Sequence, residues 1–244
     1  MSLSNGVPEL NFDESVRALL QIVECREATD KPEKEQIYRL RYTAYLREGA
    51  LPEGAPEIFK DSLDDAANGK TFGFYVGGRL ASSIRLHVAT RDAPICPAMN
   101  VFSDYLRPFV EAGMTLIDPT RFVVDVALAR QFPKIPHVTV RVGWMACDHF
   151  ATDLVLATVR TEHQAFYKRL FGHRVVCDAR PYPSLAKPIS LMLLDYPSAR
   201  ERVMRRYPFL RSTESERFAV FGSPPAARGD GKPVRPEGAN SITA

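Results

Sequence analysis

Two extended runs joined by a tight turn constrain this chain more than any other feature. TFGFYV (71–76) and ASSIRLHVAT (81–90) flank Gly77-Gly78-Arg79-Leu80. Glycines accept the backbone angles that a tight hairpin turn demands, so the two runs are expected to pair antiparallel. Further extended segments follow at intervals. A long one begins IDPTRFVVDVALA at Ile117, TDLVLATV (152–159) is apolar and β-branched, and HRVVCDA and ISLMLLDY close the series. Helical patterns separate them. Asp30 with Glu33 three residues later resembles a capping box, Pro32 suits the first turn, and Ile37, Leu40, Ala44 and Tyr45 share one face. A short helix is expected around 102–111 and another after Pro136, with Val138, Val142, Met145, Ala146 and His149 on one side. A third runs from Thr161 to Phe171-Gly172, where glycine suits the C-cap, and a basic helix, SARERVMRRY, follows Pro197. The order β-β, α, β, α, β, α, β predicts a mixed α/β sheet.

The composition fits a soluble globular chain: of 244 residues, 45% are hydrophobic and 25% charged. No apolar stretch approaches the ~18 residues of a membrane helix, and no basic-then-apolar leader opens the sequence, so a cytoplasmic protein is expected. A net charge of +3 is too balanced to point to nucleic acid. Cys25, Cys96, Cys147 and Cys177 lie far apart, and the five histidines form no ligand motif, so reduced thiols and no metal are expected. The stretch from Gly222 is rich in Pro, Gly and Ala and reads as a flexible tail (222–244), with the RGD at 228–230 a chance occurrence. Residues 1–28 form an N-terminal segment whose first six residues read as a loose end, which leaves 29–221 as the folded domain.

Charges fall where a core is expected. Arg41 shares the apolar face of Ile37 and Tyr45, and a buried guanidinium needs a carboxylate. Asp61, Asp64, Asp65 and Asp118 are the candidate partners; the residue is a structural ion-pair member, an arginine snorkelling along its stem, or part of a polar pocket. Arg85 interrupts a strand on the face of Ser83 and His87, opposite Ile84 and Leu86. Asp118 and Arg121 open the next strand, where Pro119 disturbs pairing and marks a candidate bulge.

RLRYTAY (39–45), Asp61-x-x-Asp64, IRLHVAT around Arg85 and DPTRFVVD from Asp118 follow one another in an order that resembles the acyl-homoserine lactone (autoinducer) synthases. Through YRLRY the chain is more similar still to the long-chain N-acyl amino acid synthases, and AFYKRLFG (165–172) resembles a segment of GNAT enzymes. The resemblance runs from about 30 to 195. It implies the GNAT acyltransferase fold, a mixed, mostly antiparallel central sheet flanked by helices, and transfer of a long-chain acyl group to the amino group of an amino acid. An acyl-homoserine lactone synthase using S-adenosylmethionine and a non-catalytic acyl-binding module of the same fold are the alternatives. The tryptophan that lactone synthases carry after the first helix is absent, since Trp144 lies later, which favours an amino acid acceptor; Tyr42, Tyr45 or Phe59 could take its place.

The donor is read from a turn. Where most GNAT enzymes bind the CoA pyrophosphate with a glycine-bearing loop, this chain has Arg130-Gln131-Phe132-Pro133-Lys134-Ile135-Pro136, without glycine and with two prolines that lack amide donors. That favours acyl-phosphopantetheine on an acyl carrier protein, with acyl-CoA possible and no other cofactor. Arg130, Lys134, Arg141, Lys168, Arg169 and Arg174 form a candidate docking face, if they are not simply solubilising charges. The resemblance further implies an oxyanion-binding strand near Val124, Val126 and Ala127, and Asp118 to orient or deprotonate the amine. Arg85 and Arg121, with Arg41, Asp61 and Asp64, would hold the acceptor or lock the acidic cluster. Tyr167 would protonate the departing thiolate, unless it is a core tyrosine, with His163 a weaker proton-transfer candidate.

Overall fold

The computed structural model describes residues 10–225. Helix α1 (Phe12–Leu20) is capped reciprocally by Asn11 and Glu14 and buries Val16 and Leu19. Strand β1 (Val23–Glu27) then pairs antiparallel with β2 (Gly69–Val76). Sequence reading leaves both elements in the N-terminal segment, yet they complete one edge of the sheet and cover part of its core. Helix α2 (Lys31–Arg47) starts at Asp30, whose side chain accepts from the Glu33 amide, with Pro32 in its first turn. β2 and β3 (Arg79–Ala89) form the expected hairpin; Gly77 and Gly78 have φ of 54° and 76°, the paired left-handed conformations of a two-residue turn.

Helix α3 (Met99–Glu111) leads to β4 (Leu116–Val124). The extended run expected to continue through Ala129 stops at Val124, because Asp125 caps a short helix α4 (Val126–Gln131) by accepting from the Leu128 amide. Val126 and Ala127 are therefore helical, not strand residues. Helix α5 (Ile135–His149), β5 (Leu154–Val159), α6 (Gln164–Leu170), β6 (Arg174–Arg180), β7 (Ile189–Asp195) and α7 (Tyr196–Arg206) follow as expected. A final helix, α8 (Glu214–Phe221), is closed by a Thr213–Glu216 capping box and seats Phe221 against Phe72.

The seven strands run β1-β2-β3-β4-β5-β7-β6, antiparallel except for β4–β5. Strand alternation divides the core. Ile84, Leu86, Ile117 and Val155 meet α5 on one face, while Leu116, Leu154, Leu156 and Leu191 meet α3 on the other. Arg85 lies on the second face, where α2 packs through Arg41. Thus α2 and α5 stand on opposite sides of the sheet.

Candidate active site at the divergence of two strands

β4 and β5 pair only at Leu116–Leu154 and Ile117–Val155, then part. β5 continues its ladder with β7, whereas past Ile117 the edge of β4 that faces β5 has no strand partner among the described residues. The gap opens a cavity of about 480 Å³. Its wall includes Ala44, Tyr45, Arg47 and Glu48 from the end of α2, and residues 119–124 of β4. From the opposite face come Pro136 and His137 at the start of α5 and Phe166 and Tyr167 of α6, so the cavity crosses the sheet at the split. Its α2 side is ionic and its α5–α6 side is mainly apolar.

A bulge shapes the β4 wall. Ser83 stands opposite Val123 and Arg85 opposite Thr120, so Ile84 faces two residues, Arg121 and Phe122. Arg121 takes φ of 54°, a conformation that L-residues rarely adopt. Thr120 and Arg121, consecutive in sequence, both reach the Arg85 face: Arg85 Nε donates to Thr120 at 3.3 Å, and Arg121 Nη2 donates to Asp61 at 2.6 Å. In a regular strand one of them would point away.

The Asp61-x-x-Asp64 spacing builds a 3-10 turn, Ser62–Asp65. Asp61 accepts from the Leu63 amide while Asp64 accepts from the Asp61 amide, a reciprocal cap that aims both carboxylates the same way. His87, neutral because burial and Arg85 push its pKa down to about 4, binds the Leu63 carbonyl at 3.0 Å beneath the turn. Arg41 meets Asp64 at 2.7 Å with both side chains fully enclosed. Arg85 reaches Asp61 at 2.7 Å and Asp64 at 2.9 Å, and Arg121 adds Asp61 and the Ser184 hydroxyl. Burial alone would raise both carboxyl pKa values, but the arginines outweigh it and hold Asp61 and Asp64 below the usual range. The structure thereby brings together Arg41, Asp61, Asp64, Arg85 and Arg121, with Asp64 the partner that Arg41 requires. Asp65 sits outside, paired with Lys34 at 3.5 Å. Of the five, Arg121 lines the cavity, with Phe59 and Tyr45 stacked at 4.4 and 5.6 Å from its guanidinium carbon.

Asp118 is placed elsewhere. It is fully buried, does not line the cavity, and accepts from the Ala98 amide at 2.8 Å at the start of α3. The Cys96 thiol also hydrogen-bonds to the carboxylate. Strand alternation points Asp118 into the α3 side of the core, on the face of the sheet where Arg85 also lies. Burial pushes its pKa up to about 6, against the Ala98 amide, the Cys96 thiol and Arg85. An aspartate in the unfolded chain titrates near ~4, so the native state binds the extra proton between about pH 4 and 6. The stability penalty is absent below that window and complete above it, at roughly 3 kcal/mol. Asp118→Asn is expected to unfold at higher urea than wild type at pH 7.5 and at the same urea near pH 4. A constant difference across that range would assign the effect to packing instead.

Tyr167 and Val124 line the cavity; Val126, Ala127 and Arg130 on α4 do not. Arg141 is also withdrawn from the expected docking face, since its guanidinium binds the Phe209 and Arg211 carbonyls and Glu216. Sequence reading passes over Glu48 and Arg160. They join residues 112 apart across the mouth of the cavity, where His163 Nε2 lies 2.5 Å from Arg160. Only the fold brings them together. Among the described residues no cluster of three His, Cys, Asp or Glu side chains could hold a metal ion, and no helix is long and apolar enough to cross a membrane.

A family model described as N-acyl amino acid synthase FeeM matches residues 36–195. Among solved structures, FeeM, an N-acyl amino acid synthase from uncultured soil microbes, superposes with a TM-score of 0.63 at 18% identity, covering 75% of this chain and 96% of that one. A CoA-dependent acyl-homoserine lactone synthase, BjaI, bound to SAM and isopentyl-CoA gives a TM-score of 0.51 at 15% identity, covering 77% and 89%. The AHL synthase LasI gives 0.50 at 12%, covering 85% and 98%. No curated protein matches the sequence.

Proposed function

Because the chain belongs to the N-acyl amino acid synthase FeeM family and is thereby an acyltransferase, we propose that it moves a long-chain fatty acyl group from acyl carrier protein to the amino group of an amino acid. The observation that carries this reading is the cavity itself. It crosses the sheet at the β4–β5 split, with arginine and glutamate on the α2 side and apolar residues on the α5–α6 side. A zwitterion suits the first side and an acyl thioester the second. Val123, Val124 and Phe166 line the apolar part. The absence of glycine from the turn before α5, with Pro136 in the helix's first turn, leaves few amides for a diphosphate and favours a carrier-protein arm. Arg130, Lys168, Arg169 and Arg174 are exposed, and Lys134 lies over the Phe12 ring close to His137. These residues would face an acidic carrier.

Acyl transfer needs an anchored acceptor, a stabilised oxyanion and a protonated leaving group. Arg121 spends Nη2 on Asp61 and Ser184, which leaves Nε and Nη1 for the acceptor carboxylate. Arg41 and Arg85 are enclosed and act by holding Asp61 and Asp64, which in turn fix Arg121. The unpaired edge of β4, around residues 121–124, offers main-chain amides to the oxyanion. Burial pushes the Tyr167 hydroxyl well above its ordinary pKa, so it stays protonated and ready to donate to the departing sulfur. Tyr167→Phe is expected to lower kcat about 10²-fold with little change in acceptor KM. The loss should shrink with a thioester whose thiol is more acidic; an equal loss with both donors would mark Tyr167 as structural.

The direct test is mass spectrometry of purified protein with long-chain acyl carrier protein, an amino acid mixture and S-adenosylmethionine. An N-acyl amino acid supports the reading, whereas a lactone product moves the chain to the autoinducer-synthase chemistry. Retention of the acyl carrier protein without any product makes it a binding module.

A further inference from the structure

Resting on that amide-forming reading, we infer that Glu48 receives the proton which the acceptor ammonium must lose before attack, with Arg160 and His163 holding it in place. An ammonium has no lone pair, so a base is needed at the acceptor side of the cavity. Asp118 is fully buried against the start of α3, and neither it nor Asp61 nor Asp64 lines the cavity. Among the described residues that line the cavity, Glu48 is the sole carboxylate. It caps the end of α2, on the same side as Tyr45 and Arg121, and 40% of its side chain is exposed, so a proton taken from the substrate passes on to bulk water.

The surroundings keep the carboxylate in place. Arg160 Nη2 donates to Glu48 Oε2 and also to His163 Nε2, and His163 Nε2 lies 3.6 Å from Glu48. The Arg47 guanidinium stands 3.9 Å from Glu48 Oε1, and Glu162 takes the other side of Arg160 at 3.1 Å. From the β6–β7 connection, Lys187 binds the Glu48 main-chain carbonyl at 3.1 Å and the Ala186 amide binds the Ala50 carbonyl at 3.0 Å. The remaining imidazole of the wall, His137, faces Phe12, Phe166 and Phe209 on the thioester side.

The proton count closes. Glu48 takes one proton from the ammonium, and the freed nitrogen lone pair forms the C–N bond. As the C–S bond breaks, sulfur takes the Tyr167 proton. The second nitrogen proton restores Tyr167, leaving an amide, a thiol and one proton released to water.

Glu48→Gln keeps an oxygen for Arg160 but removes the base. With an amino acid acceptor, kcat/KM is expected to fall about 10²-fold at neutral pH and to recover as alkaline pH supplies free amine. With an aminooxy acid, whose nitrogen is already unprotonated at neutral pH, the variant should match wild type within a few-fold. Glu48→Asp, which retains a carboxylate, should keep more activity than Glu48→Gln toward the amino acid. Equal losses with both nucleophiles, a rise in acceptor KM with kcat unchanged, or no loss at all would each overturn the assignment. If wild type acylates neither nucleophile, the amide-forming reading itself fails, and that result is visible without any variant.

Discussion

Asp64→Ala is expected to destabilise the protein by about 3–5 kcal/mol, the usual cost of stranding a buried charge. Asp64 is the ligand that the fully enclosed Arg41 shares with Arg85, at 2.7 and 2.9 Å. Without it, Arg41 keeps a hydrogen bond to Thr71 at 3.4 Å and the face of the Tyr38 ring at 5.1 Å, and its Nε already has no hydrogen-bond partner among the described residues. Arg85 retains Asp61, so the stranded charge is mainly that of Arg41. Burial already lowers the Arg41 pKa, with Asp64 opposing that shift, so deletion removes the group that keeps the guanidinium charged at low cost. The check is urea unfolding: the midpoint should drop with the slope unchanged. Pairing Asp64→Leu with Arg41→Met should recover much of the loss, because the desolvation cost disappears together with the attraction. Wild-type stability should also fall as pH drops below the ordinary carboxylate range near ~4, since Asp61 and Asp64 titrate lower in the native state than in the unfolded chain. Their stabilisation is complete above that range and lost as pH falls through their folded pKa values. A loss below 1 kcal/mol for Asp64→Ala would mean that water reaches Arg41 and the network is not sealed.

Much of this network was legible in one dimension, because its signals are local. Arg41 on an apolar helix face demands a carboxylate wherever the chain supplies one, and Asp61-x-x-Asp64 stands out as an acidic pair in a loop. The hairpin was equally plain, since Gly77-Gly78 admits few other conformations. What was hidden depends on tertiary context. VVDVALA is the exception: it reads as one apolar run, yet a local signal, the Asp125 side chain accepting from the Leu128 amide, turns its second half into a helix. β1 and α8 are short and partly exposed, and they are stabilised by Phe74 beside Cys25 and Phe72 beside Phe221, contacts that no local window contains. The placement of Asp118 is hidden for a related reason. It shares a motif with Arg121, but alternation sends it into the core while the bulge turns Arg121 back toward Asp61. Glu48 and Arg160 carry no local pattern, and their pairing follows from the divergence of β4 and β5.

Arg121→Gly should separate stability from function. Arg121 holds φ of 54° at the bulge, a conformation that costs a non-glycine residue about 1–2 kcal/mol and glycine almost nothing. Removing the side chain forfeits its bonds to Asp61 and Ser184, but Asp61 keeps Arg85 at 2.7 Å, so no carboxylate is stranded. The lost bonds and the lost Phe59 and Tyr45 faces outweigh the strain relief, so stability should fall by about 1–3 kcal/mol, less than for Asp64→Ala. Activity should not survive so well. If Arg121 anchors the acceptor carboxylate as proposed, losing its guanidinium should lower kcat/KM for the amino acid by about 10²–10³-fold, the scale of a buried charge-assisted contact. Arg121→Lys keeps both the charge and the strained backbone but not the fork that binds Asp61 and a substrate oxygen together, so it should lose activity without gaining stability. An acceptor amine lacking a carboxylate should be acylated poorly by wild type and no worse by Arg121→Gly, because it never made the contact. If the glycine variant instead discriminates against that amine as strongly as wild type does, Arg121 is not the anchor. The bulge would then be a packing device, and an unfavourable backbone would persist at the cavity with no contact to the substrate to account for it.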